Sequence, residues 1–282
     1  MPPSAVERRP RVLLFDIGGV CVVSPFQAIL DYEKRLGIPP GWVNYSISAT
    51  NPHGAWQQLE RGEVPLDDNW FKAFKKDLSD EDRWRIFYTR FLNRASDKNC
   101  AAEEATHNIP PIPDIDAEAL YWGMMRIART PDPHMYPALK KLRAAADESA
   151  GGLILGALSN TSIFPPGHPF NDTTTPEGKE NAELKALFDV FISSAHVGMR
   201  KPDEEIYRYA ITRLHEFVKT KWGGEGISAK DITFLDDIGS NLRTARKLGM
   251  RTIKVELGRA DKAVMELEKL TGLSLTDEKA RL

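Results

Sequence analysis

Cysteine is nearly absent. Cys21 and Cys100 are the only two in 282 residues, which excludes a disulfide framework and a thiolate metal site. The six histidines show no metal-ligand spacing. No apolar run approaches the roughly 20 residues of a membrane-spanning helix. Residues 1–11 are polar and contain proline. They lack the apolar stretch of a signal peptide and carry too few arginines for a transit peptide, so a reducing cytoplasm is the expected compartment. An excess of charge of one sign is missing too. With 38 basic and 40 acidic residues the net charge is -2 and the pI about 6.3. Neither nucleic acid nor an anionic membrane is therefore an expected partner. Internal repeats are absent. What remains is a chain 41% hydrophobic and 28% charged, suited to a soluble globule and long enough for a large domain or a domain with an insert.

Two apolar runs far apart in sequence end alike. One is Val12-Leu13-Leu14-Phe15-Asp16-Ile17-Gly18-Gly19-Val20, the other Ile232-Thr233-Phe234-Leu235-Asp236-Asp237-Ile238-Gly239. Each is too short for a helix and ends in carboxylate, then glycine. This reads as a buried parallel strand opening into a tight turn. In open α/β sheets ligands sit at that edge. Three carboxylates converging there make a cation site, and one of them could be a nucleophile.

The first strand reads as continuing past its glycines into Val20-Cys21-Val22-Val23, until Ser24-Pro25 breaks it. The texture then turns helical. Phe26, Ile29, Leu30, Tyr32 and Leu36 recur at helical spacing, and Gly37 and Pro39 mark a stop. A second helix ends at Gly62. A third starts at Asp67, with Trp70, Phe71 and Phe74 on one face. Residues 99–116 are proline-rich and read as a loop. No strand is expected between Val23 and Leu153. Thereafter helices at 137–146, 206–218 and 242–248 alternate with strands at 153–158, 188–193, 231–235 and 251–255. That order predicts a parallel sheet with right-handed crossovers. The expected fold is α/β, a Rossmann-like parallel sheet core at 1–24 and 127–282, with an inserted all-helical cap at 25–126. The return to the sheet domain is placed near Pro131-Asp132-Pro133. Residues 164–178 are too rich in proline and glycine for helix or strand, and a loop of that length is usually functional or mobile.

Four elements in this order resemble the haloacid dehalogenase-like superfamily: Phe15-Asp16-Ile17-Gly18-Gly19-Val20, Leu158-Ser159-Asn160-Thr161, Gly198-Met199-Arg200-Lys201-Pro202-Asp203 and Phe234-Leu235-Asp236-Asp237-Ile238-Gly239. The last two, continued by Ile206-Tyr207 and by Asn241-Leu242 with Ala245-Arg246-Lys247-Leu248-Gly249-Met250, are the most specific. They look like the branch that contains the N-terminal phosphatase domain of soluble epoxide hydrolase and the related domain of an acyl-CoA dehydrogenase family member. The resemblance covers residues 11–257, and in the insert rests mainly on Leu59-Glu60-Arg61-Gly62-Glu63. It implies that Asp16 is the nucleophile and forms an aspartyl-phosphate. Ser159, with Asn160 beside it, would hydrogen-bond the phosphoryl group, and Lys201 would neutralise its oxygens. Asp16, Asp236, Asp237 and the Gly18 carbonyl would hold Mg2+, a hard ion that prefers oxygen. A small phosphorylated metabolite is the implied partner, and a homodimer is compatible with the resemblance.

Each residue alone has a plainer reading. An aspartate after a strand is often only a turn former. A lone Lys201 would read as a surface lysine, and Cys21 as a small core residue. The aromatics of the insert read as its core and as a substrate-facing wall. Four acidic and polar turns in the right order are much harder to explain that way.

One departure matters. Phosphatases of this superfamily usually carry a second aspartate two residues after the nucleophile, to protonate the leaving group and then activate water. Here Gly18 stands in its place. Loss of general acid catalysis typically costs about 10²–10⁴ in rate, although a leaving group of low pKa needs no acid. Gly18 is also expected to hold a positive φ, which would strain a side chain by about 1 kcal/mol or more. Two alternatives stand beside the phosphatase. Some fungal terpene enzymes resemble this superfamily and either cyclise prenyl diphosphates or dephosphorylate the product. Asp172-Thr173-Thr174 matches the end of their aspartate-rich signature, but Phe170 stands where its first acid belongs. The other alternative is a non-catalytic phosphate-binding regulator.

Overall fold

The two acidic runs become neighbours. β1 (Val12–Phe15) lies at the centre of a five-stranded sheet and β4 (Ile232–Asp236) beside it. β2 (Ile154–Ser159), β3 (Val190–Ser193) and β5 (Arg251–Lys254) complete the order β3-β2-β1-β4-β5. Every pairing is parallel. The register sets Phe15 level with Ala157 on one side and Leu235 on the other. Strand order reverses at β1, which makes the C-terminal ends of β1, β2 and β4 the crevice of the sheet. The computed structural model describes residues 9–95, 109–149 and 152–276.

Both faces are covered, so the strands are apolar throughout rather than alternating. Leu13, Phe15, Leu155, Ala157 and Leu235 point to one side. There they meet α7 (Met135–Glu148) and α12 (Ala260–Thr271). Val12, Leu14, Ile154, Leu158 and Phe234 point to the other, against α10 (Glu204–Trp222) and α11 (Gly239–Lys247). Gly156 lets α10 approach: a Cβ there would lie 2.9 Å from Leu14 and 3.2 Å from Leu214.

Among the described residues, six helices stand between β1 and α7: α1 (Phe26–Arg35), α2 (Trp42–Ala49), α3 (Ala55–Glu60), α4 (Asp68–Leu78), α5 (Glu81–Ala95) and α6 (Ala117–Ile127). They share a separate core built on Trp42, Trp70, Phe74, Trp84 and Tyr121. Buried indoles need partners. Trp42 donates to the Leu78 carbonyl at 3.1 Å, Trp70 to that of Ala55 at 2.8 Å and Trp84 to that of Pro110 at 2.7 Å. Asp67 caps α4 by accepting from the Asn69 and Trp70 amides. Glu33, fully buried, accepts from the Gly41 and Val43 amides at 2.8 Å each, so the buried carboxylate of this core is structural. The insert docks on the sheet domain through Gly62 (φ +65), where a Cβ would collide with the Ala195 carbonyl of α9 (Ser194–Val197).

Three expectations need correcting. Val20-Cys21-Val22-Val23 is not a strand. The chain turns at Gly19 (φ +74), and the Cys21 and Val22 amides both donate to the Ile17 carbonyl. Val20 and Cys21 are apolar because the turn is buried, not because it is extended. The segment 164–178 is not all loop. A short 3-10 turn occupies Pro169–Asn171, and α8 (Pro176–Ala186) starts inside the segment. Thr175 caps it by accepting from the Gly178 amide at 3.1 Å, and Pro176 sits where a helix tolerates proline. Gly178 is glycine because a Cβ would collide with the Asp172 carbonyl. Third, helices α2, α5, α6, α8, α9 and α12 were not expected individually. Cys100 and most of the proline-rich stretch 99–116 lie outside the described residues.

Candidate active site

Asp16 follows β1, Asp236 ends β4 and Asp237 follows it. Oxygens of the three carboxylates lie within 4.8 Å of one another. The turns after the strands fix them. Asp16 Oδ1 accepts from the Ile17 amide and Asp236 Oδ1 from the Ile238 amide, each at 2.7 Å. Lys201, only 1% exposed, enters from the turn before α10. Its Nζ lies 2.9 Å from Asp16 Oδ2 and 2.7 Å from Asp236 Oδ2. Asn241, on the first turn of α11, donates to both oxygens of Asp236 at 3.1 and 3.0 Å. The Tyr207 hydroxyl donates to the Asn241 carbonyl at 3.0 Å.

This cluster is short of positive charge. Burial, together with Asp236 and against Lys201, pushes the Asp16 carboxyl up to about 6. Burial and repulsion from Asp16 and Asp236 push Asp237 up to about 7. For Lys201 burial opposes the ammonium, but Asp16 and Asp236 outweigh it and its pKa rises. Asp237 Oδ1 is buried without a hydrogen-bond partner. Three convergent carboxylates, one with an unpartnered oxygen, fit a hard divalent cation with oxygen ligands. Gly19 belongs to the same cradle, since a Cβ there would lie 2.5 Å from Asp237 Oδ2.

Gly18 corrects an expectation. The positive φ belongs to Gly19, not to Gly18. A Cβ on Gly18 would meet Pro25 Cδ at 4.0 Å and nothing nearer. The position usually occupied by the acid is therefore open to a side chain.

Ser159 ends β2 next to β1, and its hydroxyl makes a long 3.5 Å contact to the Asn160 carbonyl. At that length it is barely a bond, so the hydroxyl is available to a ligand. The Asn160 side chain has partners of its own. Its Oδ1 accepts from the Lys201 amide at 2.8 Å and its Nδ2 donates to the Lys201 carbonyl at 3.0 Å. The side chain is spent on the backbone of the lysine turn.

Two further residues escaped sequence reasoning as site residues. Glu60 of the insert accepts from Arg200 at 2.7 Å and from Asn160 at 3.3 Å. Both Glu60 and Arg200 lie inside recognisable motifs, but nothing in a sequence pairs them. Asp172 stays apart, exposed, with its Oδ1 taken by the Thr174 amide and hydroxyl. Nearby, the Trp122, Phe164, His168 and Phe170 rings stack and tie the loop after β2 to α6. Cys21 is buried under Asp16, and burial raises its thiol well above the usual range, so it is inert.

No protein-family model matches the chain. Bifunctional epoxide hydrolase 2 of Sus scrofa is 39% identical over 272 residues, which cover 94% of this chain and 39% of that protein. The chain spans less than half the length of the curated relatives it matches end to end. A shorter similarity, 39% over 67 residues, covers 24% of this chain and 11% of drimenol cyclase drtB of Aspergillus calidoustus. Among solved structures, a HAD-like family hydrolase of Porphyromonas gingivalis superposes with a TM-score of 0.50 at 19% identity, over 92% of this chain and 98% of that one.

Proposed function

We propose that this chain, a member of the haloacid dehalogenase-like hydrolase superfamily, is a Mg2+-dependent phosphatase acting on a small organic phosphomonoester through an aspartyl-phosphate. The observation that carries the reading is the Lys201 ammonium lodged 2.9 Å from Asp16 and 2.7 Å from Asp236, with one Asp237 oxygen left without a hydrogen-bond partner alongside. Asp16 is the nucleophile: one of its carboxylate oxygens attacks phosphorus as the ester P–O bond breaks, and the leaving oxygen takes its proton from water. Water then cleaves the acyl phosphate and returns the carboxylate. Lys201 holds Asp16 in line and neutralises a phosphoryl oxygen, and the Ser159 hydroxyl donates to another. Positioning and charge neutralisation are most of what phosphoryl transfer requires. Asp16, Asp236, Asp237 and the Gly18 carbonyl would hold Mg2+, which supplies the positive charge the cluster lacks.

Asp16→Asn tests the reading. The amide cannot attack phosphorus, so turnover should vanish while the fold persists. Beryllofluoride or vanadate with Mg2+ should raise the melting temperature of wild type but not of the variant. Full phosphatase activity in Asp16→Asn would refute it. A screen of phosphometabolites with and without Mg2+ separates the enzyme from a phosphate-binding regulator, which has no need of buried like charges.

The similarity to drimenol cyclase drtB favours a second reading, a prenyl or terpenyl phosphate as substrate. Dephosphorylation suits it better than cyclisation, since Asp172 spends its carboxylate within its own turn. Prenyl phosphates therefore belong in the same screen.

A further inference from the structure

We infer that Glu60, carried by the helical insert, is a positioning residue for Lys201, acting through the side chain of Asn160. The kinetic consequence rests on the phosphatase reading, whereas the network rests on distances alone.

Glu60 ends α3, and its side chain is 13% exposed, against 12% for its partner Arg200. One carboxylate oxygen, Oε2, accepts from Arg200 Nε and Nη2 at 2.7 Å each and from Asn160 Nδ2 at 3.3 Å. The other, Oε1, accepts from the Trp56 indole at 3.0 Å. Arg200 Nη1 also reaches Asn51 Oδ1 at 3.3 Å, a second foothold on the insert. Bonds to charged partners are the strong ones, and this one is largely shielded from water.

The adjacent residues Arg200 and Lys201 point opposite ways, one to the insert and one to the acidic cluster. Asn160 sits between them and grips the Lys201 backbone at both its amide and its carbonyl. An amide side chain has a donor end and an acceptor end. Glu60 and the Lys201 carbonyl both accept, so both require the NH2 end on their side. Glu60 therefore reinforces the direction that the Lys201 backbone gives Asn160, and Asn160 braces the turn that aims Lys201 at Asp16 and Asp236. Glu60 also neutralises Arg200, which leaves Lys201 as the cation facing the acids. Burial raises the Glu60 carboxyl pKa against the pull of Arg200, but both its oxygens already accept from Arg200, Asn160 and Trp56, which sets Glu60 apart from the proton donor missing at Gly18.

The test is Glu60→Gln in the full chain, with Asn160→Asp as a second variant that keeps the acceptor for the Lys201 amide and loses the donor. The first readout needs no activity. Hydrogen exchange at the Lys201 amide should speed up about tenfold or more, with strand amides such as Leu14 unchanged. The second is steady-state kinetics on an aryl and an alkyl phosphate. A misaimed lysine should lower kcat by about 10–100-fold on both alike, with KM little changed. Unaltered Lys201 exchange in both variants would overturn the inference. So would a loss of kcat confined to the alkyl ester, which would mark Glu60 as an acid. Faster Lys201 exchange in a protein that hydrolyses no phosphate upholds the positioning role and sinks the phosphatase reading instead.

Discussion

Asp237→Asn should stabilise the metal-free protein while removing its response to Mg2+. Burial and two neighbouring carboxylates raise Asp237 from 3.8 to about 7. The folded state thus holds this proton more tightly than the unfolded chain does. The stability linked to the group is fully present below about pH 4 and is lost as the pH rises through its folded pKa of about 7. At about 1.4 kcal/mol per pH unit, that window sets an upper bound of about 4 kcal/mol. Water reaching this half-buried group cuts the expected effect to about 2 kcal/mol, or about 2–4 °C in a chain of this length. In EDTA, wild type should melt progressively lower from pH 5 to pH 8, and Asp237→Asn should recover that loss at pH 8. Asp16, raised to about 6, leaves a shallower slope in the variant. Millimolar Mg2+ should stabilise wild type more at pH 8 than at pH 5 and the variant little at either. The assay is a melting series over pH with EDTA or Mg2+. A variant that melts below wild type in EDTA at pH 8, or that keeps the full Mg2+ shift, refutes the reasoning.

Gly18→Asp should fold with little backbone or steric penalty, because the position has ordinary φ and open space. Rates on alkyl phosphates should rise more than on activated aryl phosphates, whose leaving groups depart unprotonated; unchanged selectivity would show that general acid catalysis comes from elsewhere or is not used. Gly19→Ala should instead cost about 1–3 kcal/mol in a denaturant titration, from a φ of +74 and a collision with Asp237. It should weaken Mg2+ stabilisation as well, and Gly18→Ala, near neutral, is the control.

The sheet was legible because a doubly covered parallel sheet writes its strands as short apolar runs, and both acidic strand ends come from such runs. The same signal misleads where burial occurs without extension. Val20 and Cys21 are as buried as β1 and belong to a turn. Helix α8 was hidden because Thr175, Pro176 and Gly178 read as breakers, whereas one is a cap, one a first-turn residue and one a close approach. Adjacent glycines cannot be told apart by sequence, so the positive φ was assigned to Gly18 when the crowding against Asp237 sits at Gly19. Ser159 and Asn160 are neighbours in sequence, yet their side chains have different partners. Successive residues leaving a strand point in different directions, and the Asn160 side chain went to Lys201. The Glu60–Arg200 pair spans 140 residues, and only the folded chain brings its members together.

Charge links these details. Three carboxylates and one lysine leave the cluster two negative charges in excess when all are ionised, and the raised Asp16 and Asp237 record that excess. Arg200, one residue from Lys201, could have offset it but is turned away and neutralised by Glu60. A fourth carboxylate at residue 18 would deepen the deficit. Glycine there removes a proton donor and, by the same step, keeps the metal-free site less strained by like charges. Restoring the acid should therefore do two things at once. Gly18→Asp should widen the difference in melting temperature between Mg2+ and EDTA, in the same protein that gains rate on alkyl phosphates. A rate gain without that widening would place the new carboxylate outside the field of the cluster, and the electrostatic account of Gly18 would fall.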